Sequence, residues 1–165
     1  METTHRERVE TLLAAAAAEH ADLRARLPED LAASLPVDAQ GVTRAIDHLA
    51  EAAGLSEDER RALIRPHAVN PAVLHARVYG RAPLTRETVV ASFVEGARVR
   101  ADALLALADT IGGEPVGLEV RKLLVADPPP TQTEGDDVVP ALRATYAAHE
   151  RAAVLIAASL DGPTA

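Results

Sequence analysis

Apolar residues recur every three or four positions along most of the chain, and strict alternation is nearly absent. That period lines one face of a helix, whereas a half-buried strand needs alternation, so the pattern predicts an all-α multi-helix bundle. The first helix is expected from about Thr4 to Leu27. Thr4 and Glu7 have the spacing of a capping box, and Pro28 ends the run. Its stripe of Val9, Leu13, Ala16, His20, Leu23 and Leu27 steps by four and three, a heptad-like seam suited to a partner helix. The second helix is placed from Asp38 to Ala53, with Val42, Ile46, Leu49 and Ala53 on one face and Gly54 closing it. Ser56 and Glu59 repeat the capping-box spacing and open a third, to Arg65. Asn70 and Pro71 open another, to Tyr79. Further helices are read from Thr85 to Glu95, closed by Gly96, from Ala101 to Ile111, closed by Gly112 and Gly113, and from Glu114 to Ala126. The last runs from Asp137 to Leu160, with Val139, Leu142, Tyr146, His149, Ala153, Ile156 and Leu160 as its stripe.

Three consecutive prolines, Pro128 to Pro130, mark a semi-rigid linker. The pattern thus divides the chain into N-terminal helices (1–53) available for dimerisation, a helical core (54–126), the linker (127–136) and a C-terminal helix (137–165). The length of 165 residues suits one domain. Hydrophobic residues at 48% are enough for a buried core. The chain has no Cys, which excludes thiolate nucleophiles and Cys-ligated zinc. Its only rings of the Phe, Trp and Tyr type are Tyr79, Phe93 and Tyr146, too few to line a flavin or haem pocket or to stack a run of bases. No signal peptide or membrane span is evident, so a cytoplasmic location is expected.

Catalytic motifs are mostly missing. Apart from Glu2 before His5 at the start of the chain, no His has an acid three residues before it, so the pair of Glu-x-x-His motifs of di-iron bundles is not met. His-Glu-x-x-His, Gly-x-Gly-x-x-Gly and the P-loop are also absent. Neither metal nor cofactor is therefore expected. Two histidine groups remain. His20 and His149 lie on the stripes of the two longest expected helices, and Tyr146 is one turn from His149. His75 and Tyr79 are four apart and share a face. Either group could be an internal site with His as general base and Tyr as donor, or a polar pair that sets helix register.

The segment Val90 to Gly113, VASFVEGARVRADALLALADTIGG, carries a resemblance. Phe93 precedes Gly96, Arg98 and Arg100 follow, and Leu104, Leu107, Ala108, Ile111 and Gly112 arrive in the order L-x-x-L-A-x-x-I-G. This resembles the second half of a Cro/lambda-repressor-type helix-turn-helix domain, with Asn70 to Gly80 similar to the preceding helix and Ser56 to Arg65 to the first. The likeness covers about residues 55–113, although Gly80 to Thr85 makes the turn longer than in that family. It implies a homodimeric transcription regulator that binds double-stranded DNA. Thr85, Arg86, Glu87, Thr88 and Ala91 would face bases, and Arg77, Arg81, Arg98 and Arg100 would meet phosphates.

Charge fits an anionic partner. The chain carries −8 overall, but from Arg60 to Arg100 eight arginines face only Glu87 and Glu95, a local +6 that leaves −14 elsewhere. The competing account pairs these arginines with acids of the same chain. A different class of function also stands: an all-helical bundle that binds a small anion or performs acid/base chemistry through His75, Tyr79, Tyr146 and His149, with Arg77 and Arg81. The position of residues 85–95, protruding or buried, separates the two.

Overall fold

The computed structural model describes residues 2–19, 29, 39–64, 80, 85–132 and 135–162. Among them the chain forms helices and no strand: α1 (His5–Glu19), α2 (Ala39–Ala52), α3 (Glu57–Ile64), α4 (Arg86–Ala126) and α5 (Val138–Leu160). The helix expected at 70–79 and the stripe positions His20, Leu23 and Leu27 lie outside the described residues.

Both capping boxes form. The Thr4 backbone N–H donates to Glu7 Oε2 at 2.9 Å, and the Glu7 N–H donates back to Thr4 Oγ1 at 3.2 Å. The Ser56 N–H donates to Glu59 at 2.7 Å, and the Glu59 N–H returns to Ser56 Oγ at 3.2 Å. Each exchange satisfies donors that a helix start leaves without partners. Gly54 closes α2 at φ 75°, and the following Leu55 N–H reaches back to the Ala50 carbonyl at 3.1 Å.

The largest departure from the sequence pattern is α4. Two of the three expected helices are continuous through Gly96, whereas the break expected at Gly112 and Gly113 is present: within the 41-residue span of α4 the backbone leaves helical geometry at Gly113, where φ is 68° and ψ is −164°. Gly96 does not end a helix. The chain runs through Arg98 and Arg100 without a loop, although a glycine inside a helix costs about 1 kcal/mol relative to alanine. Pro115 falls just beyond the bend, where a new helical segment starts and its missing N–H matters least.

The helix α5 packs along α4, α1 lies against α2 and α5, and α2 also touches α4 and α5. Two apolar clusters result. The larger joins Val9, Val42, Leu49, Leu104, Leu107 and Ile156. The smaller joins Val89, Val90, Phe93, Val94, Val139, Leu142 and Tyr146 near the start of α4. Burying a side chain of this size contributes about 1.5–3 kcal/mol. Val9, Leu13 and Ala16, part of the seam suited to a partner helix, are buried within this bundle. The proline segment is tied down: the Pro128 carbonyl accepts from Thr145 at 2.9 Å, and the Pro130 carbonyl from Arg98 at 3.4 Å.

The two ends of the chain meet through Asp161, which follows α5. Its carboxylate accepts from the His5 N–H at 2.8 Å and the Arg6 N–H at 3.2 Å, and lies 2.9 Å from His5 Nδ1. A residue 156 positions away thus caps α1. Desolvation pushes the Asp161 carboxyl up, but the two backbone donors and the His5 ring outweigh it and hold the group below its usual range. Asp161→Ala should cost about 1 kcal/mol at neutral pH, the usual worth of such a cap. A depressed carboxyl stabilises the fold above its ordinary pKa of 3.8 and loses that contribution as acid protonates it. The gap between variant and parent in urea denaturation should therefore close below that pH.

Candidate functional site

A polar layer separates the two apolar clusters. Arg100 on α4 supplies its charge and is only 3% exposed. Its Nε donates to Thr43 Oγ1 on α2 at 3.1 Å, and its Nη1 donates to the Tyr146 hydroxyl at 3.2 Å. That hydroxyl donates in turn to the Phe93 carbonyl at 2.9 Å. The guanidinium carbon lies 5.5 Å from the Tyr146 ring centre, and Phe93 meets that ring edge-on at 5.9 Å. Burial raises the Tyr146 pKa, with the Arg100 charge a smaller opposing effect, so the hydroxyl stays protonated and can hold both bonds.

Gly96 explains why this geometry fits. A Cβ there would stand 2.5 Å from Arg100 Nη1 and 3.2 Å from the Tyr146 hydroxyl. The missing side chain is the space the guanidinium occupies, one helical turn before its own backbone.

His149 lies one turn after Tyr146, with the two rings 5.6 Å apart. It is fully buried, and among the described residues neither ring nitrogen has a hydrogen-bond partner. Leaving a buried polar atom without a partner costs about 1–3 kcal/mol. Burial first, and the Arg100 charge second, push its pKa from 6.5 down to about 3. Arg100 is equally exceptional. Among the described residues no ion pair includes it, and a lone buried charge is costly.

The sequence reading placed Tyr146 and His149 together, and the structure does so. It adds Arg100, Gly96, Thr43 and the Phe93 carbonyl, none of which was assigned to this site. Arg100 was expected at phosphates, but its burial removes it from any surface a duplex could touch. Thr85, Arg86 and Glu87 are exposed at the start of α4, and Ala91 is half-buried. The Thr88 side chain, and His75, Arg77, Tyr79 and Arg81, lie outside the described residues. Arg98 is exposed and pairs with Glu95 at 3.3 Å. Arg60 lies 3.9 Å from Asp47, and Arg61 pairs with Glu57. The +6 block is therefore matched in part by acids of its own chain.

Among the described residues no group of acids and histidines is arranged to hold a metal ion, and no helix is long and apolar enough to cross a membrane. Comparison with family models, with curated proteins and with solved structures finds no match.

The His149 environment fixes a pH response. The folded state resists protonation that the unfolded chain accepts below 6.5, so the unfolded state binds more protons between there and about 3. Stability must fall as pH drops through that window, by up to about 1.4 kcal/mol per pH unit from this one group. Replacing it in His149→Leu should flatten the dependence, as read from urea midpoints at neutral and mildly acidic pH. An unchanged slope would show that the imidazole is not held neutral.

Proposed function

We propose that this protein is an all-helical ligand-binding bundle whose interior takes a small monocarboxylate at Arg100. The observation that carries this reading is a buried guanidinium that has no carboxylate among the described residues, and whose charge is felt by a buried imidazole that has no hydrogen-bond partner among them. A bound carboxylate would give the guanidinium its counter-charge. The planar fork of Arg matches two carboxylate oxygens, and a neutral imidazole offers one N–H. One guanidinium balances one negative charge, so a dianion would leave charge uncompensated in an apolar setting. The apolar clusters on either side favour a short hydrocarbon tail. General-base chemistry is the weaker use of this site, because a histidine with a pKa near 3 is a poor base at neutral pH. The duplex-binding expectation draws support from the exposed first turn of α4 alone.

The test is thermal unfolding with sodium formate, acetate, propionate and phosphate, against sodium chloride at equal ionic strength. A ligand at a hundred times its Kd adds about 2.7 kcal/mol, and in a chain of this size each kcal/mol appears as about 2–4 °C. The monocarboxylates should raise Tm over chloride and phosphate in the parent but not in Arg100→Met. Gly96→Ala, whose methyl displaces the guanidinium, should lose the response while keeping its helical content. A shift shared equally by Arg100→Met, or no shift with any carboxylate, would overturn the reading.

A further inference from the structure

The helices leave an open slot whose lining includes none of the side chains of the arginine centre. Its floor is α5, with Val154, Leu155 and Ala158, and its volume is about 790 Å³. The first helix forms one wall. The arm of α4 beyond the Gly113 bend forms the other. The crest of that arm carries Leu118 and Val125, 48% and 71% exposed, the two exposed large hydrophobics among the described residues. Seven residues apart, they share one helix face about 10 Å in length. Two aliphatic side chains in water next to an empty apolar slot mark an interaction surface.

We propose that the slot is filled by a second copy of this chain, the crest of each α4 arm lying in the slot of the other about a two-fold axis. An isologous interface requires one patch to hold both the projecting and the receiving surface, and here they adjoin on one helix. The charges of the rim agree. Arg6 pairs with Glu10, Lys122 with Glu119 and Arg151 with Asp127, and Glu150 adds one unbalanced acid. Two such rims can meet with little net repulsion and can exchange ion-pair partners. A rim of one sign would instead reject a copy of itself and favour an oppositely charged partner.

Sedimentation equilibrium on the full chain at tens of micromolar should give twice the chain mass. Leu118→Glu combined with Val125→Glu should give the single mass, with an unchanged helical circular dichroism signal and a Tm that no longer depends on protein concentration. Ala158→Trp, which fills the slot from its floor, should dissociate the dimer from the other side. A parent chain that sediments as a monomer throughout would overturn the proposal and leave the slot to a helix from another protein. A dimer that survives all three substitutions would overturn it equally.

Discussion

A single guanidinium inside an apolar bundle constrains the rest of the structure. Arg100 sits between two hydrophobic clusters, and its hydrogen bonds tie α4 to two other helices, through Thr43 on α2 and Tyr146 on α5. It occupies the place of a side chain at residue 96, where a Cβ would force the guanidinium to shift. The same requirement accounts for α4 continuing through a glycine. A loop at 96–100 would release the backbone turn that places Phe93, Gly96 and Arg100 on one face, and the Phe93 carbonyl would no longer meet the Tyr146 hydroxyl. Apolar packing alone would favour a hydrophobic residue in place of Arg100, since a buried charge without a counter-charge opposes folding.

The other features are ordinary helical engineering around that centre. Capping boxes start α1 and α3, and Asp161 joins the first helix to the last. Beyond the break at Gly113 the second segment of α4 packs Val120 and Leu124 into the larger cluster and forms one wall of the slot beside α5. The polar layer thus belongs to the segment before Gly113 and the slot to the segment after it.

The bundle class and the inward face of α5 were legible because they rest on local period. Val139, Leu142, Tyr146, His149, Ala153 and Ile156 are all buried, as their spacing predicts. Thr4 and Ser56 were legible because a capping box lies within four residues. The arginine centre was not. A glycine at 96 reads as a helix end until the neighbouring helix is seen, because close side-chain approach leaves no local trace. Arg98 and Arg100 are two residues apart and alike in sequence, yet one faces solvent and the other the core. That difference follows from the phase of a helix which the sequence reading had broken at Gly96. The same break supported the likeness to a helix-turn-helix domain, which needs a loop where α4 is continuous.

The most direct measurement is the unfolding free energy of Arg100→Met in chloride buffer free of carboxylates. If Arg100 is kept for a ligand, the empty protein carries an uncompensated buried charge, and removing it should leave stability unchanged or raise it by about 1–4 kcal/mol. A loss of several kcal/mol would contradict the account and make Arg100 a structural brace between α2, α4 and α5.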